Sequence, residues 1–371
     1  MEEAQYRRGS KRIRPFAQSA GVSHRGCSRP LQRAVTDFGA DSGYAQVMDK
    51  LVEHYGVMLG ESTIRRITQG HAQTMFESAS EAFGCPVAAG RSAVVIAEMD
   101  GGMVPIVEPD ASQRDRRKGK KLHWREAKIC LAHAQGSKDL IYRGTLQGSA
   151  DTAGQKLFTC VTQAGFGRNT TIHAVGDGAP WIADQVEDRF GAQGSYLLDF
   201  YHVCDYLSAA AEAVVQTAVE TAVETAIETT AGAPPARTAW MDQQKHRLKT
   251  GQVGLVLQAL QSRLLEPAAV ADSDAPVREC HRCQCHRYLT LRPEQLDYQG
   301  ALARGLPIGS GEIESAHRYV VQQRLKRPGA WWRAANAEHR LALRLLRANH
   351  GWNQYWANDL IHPLARSHTS I

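Results

Sequence analysis

The stretch Thr170–Ile182, TTIHAVGDGAPWI, decides how the rest of the chain is read. Thr171, Ile172, Ala174 and Val175 give it the β-branched and apolar alternation of a strand, and Gly176, Gly178 and Pro180 stop that strand. Asp177 is thereby delivered to a strand's C-terminal end, where open α/β sheets place their chemistry. An Asp-Gly turn in a hairpin accounts for the same residues, and this stretch alone leaves both readings open.

Upstream, residues 93–107 (AVVIAEMDGGMVPIV) put two apolar runs around an Asp-Gly-Gly. The first run reads as a buried strand and Asp100 lies where it breaks, echoing Asp177. The basic loop Arg114–Lys121 (RDRRKGKK) follows. Its Lys118, Lys120 and Lys121 fit a solvated surface or, being close to Asp100, phosphate contacts. Further strands are expected over 123–131, 140–145 and 195–198, with a helix over 151–164, the alternation of an α/β layer. Asp199 and His202 follow the last strand in Asp199-Phe200-Tyr201-His202.

From Tyr206 to about 304 the pattern is that of a helical insertion. Residues 217–230, TAVETAVETAIETT, place Glu220, Glu224 and Glu228 on one face of a long helix, and further helices are expected over 240–265 and 280–298. Cys280-x-x-Cys283-x-Cys285-His286 is half of a zinc site, and cysteines packed within a helix are the competing account. The chain closes with GLPIGSGEIESAH (305–317), whose helix carries Ile313, Ala316, Val320 and Leu325 on adjoining faces. Glu312 suits the helix dipole. Glu314 sits at the edge of the apolar stripe and is expected to point across the helix toward the sheet. Arg324, Lys326 and Arg327 then adjoin Trp331 and Trp332, which serve either as core or as stacking faces for an unpaired base.

At 371 residues and 43% hydrophobic composition the chain has enough apolar mass for two or three domains, and a net charge of +6 fits a polyanionic partner without requiring one. No apolar run reaches the roughly 20 residues needed to span a bilayer, and the first residues lack a signal-peptide core, so a cytoplasmic protein without a membrane partner is expected. Residues 1–40 read as a basic arm, flexible on nucleic acid or in solvent. From Ser42 helical spacing begins, Gly56 closes a first helix, and Ser62-Thr63-Ile64 opens a second. This pair over 41–90 is a helix-turn-helix candidate offering Ser62, Thr63, Arg65, Arg66, Thr68 and Gln69 to a DNA groove, or else an ordinary helical hairpin.

If their strands are neighbours, Asp100, Asp177 and Glu314 converge on one pocket. Three carboxylates repel one another unless cations join them, and Mg²⁺ or Mn²⁺ in a pair suits phosphoryl transfer. The segments 29–41 (RPLQRAVTDFGAD), 51–56 (LVEHYG), 98–105 (EMDGGMVP), 176–182 (GDGAPWI), 198–207 (LDFYHVCDYL) and 305–332 (GLPIGSGEIESAHRYVVQQRLKRPGAWW) resemble the DDE transposases of bacterial insertion sequences, in particular the Kra type.

The resemblance implies a ribonuclease H-like mixed sheet flanked by helices, in two parts (91–205 and 305–371) separated by an all-helical insertion (206–304). It implies a catalytic, metal-binding triad of Asp100, Asp177 and Glu314, two Mg²⁺ or Mn²⁺ ions, and a supporting role for Asp199 and His202. Expected partners are double-stranded DNA, as terminal inverted repeats and target, and a second copy of the chain. The sequence departs from that pattern in its short amino-terminal part, where Cys27 is unaccompanied, and in the TAVE repeat. A truncated or inactive DNA-binding derivative and a ribonuclease H-like nuclease without strand transfer are the alternatives.

Overall fold

The computed structural model describes residues 6–8, 11–13, 15, 19, 26–79, 81, 84, 88–110, 112, 119–211, 236–261 and 281–358. Two short strands, β1 (Tyr6–Arg8) and β2 (Lys11–Ile13), pair antiparallel. Three helices follow: α1 (Arg29–Asp41), α2 (Tyr44–Tyr55) and α3 (Glu61–Glu77). The basic arm expected over 1–40 is therefore corrected from Arg29 onward. Leu31, Val35 and Phe38 recur at helical spacing there and pack with the buried Val47, Leu51, Ile64 and Ile67 of the next two helices. Gly39 is where α1 meets α3, because a Cβ at this position would stand 2.5 Å from Thr68 Oγ1. Thr68 is fully buried and donates to the Ile64 carbonyl, which removes it from the residues expected to reach a DNA groove.

The centre of the molecule is a five-stranded mixed sheet. Its strands are β3 (Val94–Pro109), β4 (Lys120–Ala134), β5 (Ile141–Thr145), β6 (Thr171–Gly176) and β7 (Gly194–Leu198), in spatial order β5-β4-β3-β6-β7. β3, β4 and β5 are antiparallel neighbours, whereas β6 runs parallel to both β3 and β7. The two apolar runs around Asp-Gly-Gly are one continuous strand, not two broken at Asp100.

Both sheet faces are covered, as the buried run Val95–Met99 requires. On one face Val95, Ala97, Met99 and Ala132 meet Leu157, Phe158 and Val161 of α4 (Ala150–Gln163) and Ile182 and Val186 of α5 (Pro180–Phe190). The other face is shared. Ile96 and Leu198 meet α6 (residues 200–211), α7 (Ala236–Lys249), α8 (Val253–Gln261), α9 (His281–Thr290) and α10 (Tyr298–Ala303). Val104, Ile106, Ile129 and Leu131 meet α11 (Gly311–Ala316), the π-helical turns His317–Gln322 and α12 (Ala334–Ala348).

Two expected helices are shorter than the sequence suggested. The helix over 240–265 breaks at Gly251, whose φ of 73° ends α7, and the one over 280–298 stops at Thr290. The repeat 217–230 lies outside the described residues. Among the described residues no helix is long and apolar enough to cross a membrane.

α12 ties the amino-terminal helices to the sheet. Arg340, which is buried, donates to the Gly39 carbonyl (2.6 Å) and the Tyr44 hydroxyl (2.7 Å), and Arg344 donates to the Ala40 carbonyl at 3.0 Å. Cations thus meet the C-terminal carbonyls of α1, where the helix dipole favours them. Arg340→Ala is expected to lower unfolding stability by about 2–4 kcal/mol, read as a shifted denaturant midpoint, because it strands one buried and one part-buried oxygen partner. An unchanged midpoint would contradict this clamp.

Candidate active site

Parallel pairing of β3 with β6 sets the site. Glu98 faces Val175 across the ladder, and Asp100 and Asp177 each lie two residues further on, so the two aspartates come side by side where the parallel ladder ends. Asp177 sits just past the end of β6, as expected, and its Oδ1 accepts from the Ala179 N–H at 2.9 Å. Asp100 is within a strand, but at the level where β3 loses its parallel neighbour.

Burial raises the proton affinity of the Asp100 carboxyl; the nearby His317 and the Gly101 N–H pull it down, and Asp177 and Glu126 push it up again. The charge of Asp177 therefore reaches Asp100.

His317 is the partner that the sequence reading missed. Its Nε2 lies 3.4 Å from Asp100 Oδ2 and 3.1 Å from the Asp100 carbonyl oxygen. The two glycines after Asp100 make room at this place: a Cβ on Gly102 would stand 2.8 Å from His317 Nδ1, and one on Gly101 would overlap the Glu126 carboxylate. Glycine acts here as clearance inside a strand, not as a strand breaker.

Two buried carboxylates hold α11 and the following π turns over the aspartates. Glu98, on the same sheet face as Asp100 by the two-residue period of a strand, accepts from the Ile313 N–H at 2.7 Å. Asp199 Oδ1 accepts from the N–H groups of Tyr201 (2.6 Å) and His202 (3.1 Å), capping α6. Its Oδ2 accepts from the Ser310 N–H at 2.7 Å and from the Ser310 hydroxyl. Its own N–H donates to the Gly176 carbonyl at 2.7 Å. Asp199 thus joins the strand of Asp177 to the helix of Glu314.

Glu314 itself is exposed. On a helix it lies one turn before His317 and on an adjoining face, and it is His317 that turns onto Asp100. Among the described residues no three His, Cys, Asp or Glu side chains form a metal-holding group. Asp100 and Asp177 nonetheless fit a hard divalent cation by their chemistry. Both are oxygen donors, and bound positive charge would relieve the burial and repulsion acting on Asp100. Glu312 is engaged elsewhere, with its Oε2 2.9 Å from His133 Nε2.

The loop of Asp177 is held from the helical region. Tyr288 on α9 donates its hydroxyl to the Asp177 carbonyl at 2.6 Å, and Arg292 donates to the Gly178 carbonyl at 2.9 Å while stacking 4.5 Å from the Tyr288 ring centroid. His202 packs edge-on against Tyr206 and Tyr288. Cys285 is buried in the same core and its thiol is pushed up to about 12 by burial, which suits packing better than thiolate ligation. Cys280 lies outside the described residues.

The expected DNA contacts divide. Arg65, Arg66, Lys120, Lys121, Lys326, Arg327 and Trp331 are exposed, and Lys118 lies outside the described residues. Arg324 and Trp332 are corrected. Both are buried, the guanidinium lies 4.6 Å from the indole centroid, and Trp332 Nε1 donates to the Leu325 carbonyl at 3.1 Å. Burial lowers Arg324 to about 10. Neither side chain faces solvent, so neither offers itself to a phosphate or a base. No protein-family model and no curated protein matches the chain.

Burial pushes the Glu98 carboxyl from 4.5 up to about 8, against the opposing pull of the Ile313 N–H. Folding favours the protonated form, so the contribution is complete below 4.5 and is lost as pH rises toward about 8. In EDTA, Glu98→Gln is expected to flatten this fall in stability, measured by denaturant titration at several pH values. Parallel pH profiles for variant and parent would exclude the buried neutral carboxyl.

Proposed function

We propose that the chain is a DDE transposase of a bacterial insertion sequence: a metal-dependent enzyme with a ribonuclease H-like core that hydrolyses a phosphodiester at the element's end. The 3′-OH so freed attacks a phosphodiester of target DNA. The observation that carries this reading is the register of β3 and β6, which sets Asp100 beside Asp177 beneath a helix bearing Glu314. The order and directions of the five strands are compatible with a ribonuclease H-like sheet.

Asp100, Asp177 and Glu314 would hold the ions. When bound, two Mg²⁺ or Mn²⁺ ions supply activation of water and stabilisation of the leaving oxygen. The remaining roles belong to the chain. His317 fixes the Asp100 carboxylate, Asp199 ties the strand of one carboxylate to the helix of another, and Tyr288 and Arg292 hold the backbone that carries Asp177. Exposed Lys120, Lys121, Lys326 and Arg327 offer charge to phosphates, and exposed Trp331 offers a face to a distorted end. Two copies acting on DNA would pair the element's two ends.

The exposure of Glu314 and the contact of His317 with Asp100 favour a second reading, a DNA-binding derivative without chemistry. Mg²⁺-dependent nicking of a duplex carrying the inverted repeats that flank the coding region decides between them. Asp177→Asn is expected to lower nicking by more than about a hundredfold, beyond the loss typical of residues behind the ligands. Equal nicking by parent and variant would end the enzymatic reading. A pre-cut end joined to a second duplex separates a transposase from a nuclease that only cleaves.

A further inference from the structure

α3 and the first turns of α12 enclose a groove of about 570 Å³. One wall carries Thr63, Arg65, Arg66 and Gln69, and the other Asn336 and His339, from a helix more than 250 residues later in the chain. No carboxylate lines it. Among the described residues, the guanidiniums of Arg65 and Arg66 and the amides of Gln69 and Asn336 have no hydrogen bond or ion pair. Two uncompensated cations among free N–H and hydroxyl donors make a surface for an acceptor-rich polyanion.

The walls are fixed to each other. Ala72 and Met75 of α3 share a buried cluster with Leu343 of α12, and the Phe76 ring lies 5.2 Å from the His339 ring. Along α3, from Ser62 to Gln73, the groove runs for about 16 Å, longer than a lone phosphate requires.

We infer that this groove seats the phosphodiester backbone of duplex DNA across α3 and α12 together. A helix-turn-helix acting as an independent module would present α3 alone; here the later helix supplies the second wall, so α3 and α12 grip one stretch of duplex as a single rigid surface. The choice of duplex DNA over another polyanion rests on the transposase reading.

The test uses the full-length chain and a short fluorescent duplex in EDTA, where binding needs no chemistry, read by anisotropy over a salt series. Replacing both Arg65 and Arg66 by Ala is expected to reduce the slope of log K against log salt by about two. Asn336→Asp should weaken duplex binding by about tenfold. An acid in the first turn of α12 suits the helix dipole, so the variant is expected to melt like the parent. Binding by Asn336→Asp within about twofold of the parent would overturn the shared groove, as would displacement by polyglutamate in preference to unlabelled duplex. These outcomes are independent of catalysis. Loss of nicking in Asp177→Asn with unaltered binding in Asn336→Asp refutes the groove alone, whereas full nicking by Asp177→Asn refutes the enzyme while the binding responses stand.

Discussion

The buried carboxylate of Asp199 is the constraint on which the site depends. It receives donors from two segments: the N–H groups that open α6, and the N–H and hydroxyl of Ser310, 111 residues beyond Asp199. A carboxylate with this little access to water is tolerable only when hydrogen-bonded, so the two segments cannot separate without exposing an unpaired acceptor. Because the Asp199 N–H also bonds to the Gly176 carbonyl, the end of β6 is fastened to the same node. The strand that delivers Asp177 and the helix that bears Glu314 are positioned by one residue, the strand through its backbone N–H and the helix through its carboxylate.

Glu98 completes the arrangement with fewer partners. Asp199 sits among four donors, whereas Glu98 has a single backbone N–H and a raised proton affinity. Asp199 is held by four donors and Glu98 by one, and both fasten residues 310–317 to the sheet. Above them the charge of Asp100 is met by His317 and opposed by Asp177. The register therefore brings two carboxyl groups to one end of two parallel strands, with His317 facing one of them.

Much of this was legible in the sequence wherever the signal was local. The alternation and the glycine and proline punctuation around Asp177 specify its strand and its end. What escaped depended on remote partners. Asp-Gly-Gly reads as a break, yet β3 runs through it, because the space a side chain would fill is taken by His317 and Glu126. Arg324 and Trp332 resemble a cationic and aromatic surface in the sequence, but Tyr44, far away in the chain, stacks on Arg324 and helps bury it. His317 was readable in principle, one helical turn beyond Glu314. That the histidine meets Asp100 while the glutamate faces solvent follows from the seating of Ile313 on Glu98, a contact without a sequence signature.

The most direct measurement is a crystal structure of the chain soaked in Mn²⁺, with the metal located by its anomalous scattering. The account predicts Mn²⁺ at the carboxylates of Asp100 and Asp177, with Glu314 turned inward toward it. Mn²⁺ bound elsewhere, with the two aspartates unliganded and His317 still seated on Asp100, would contradict it.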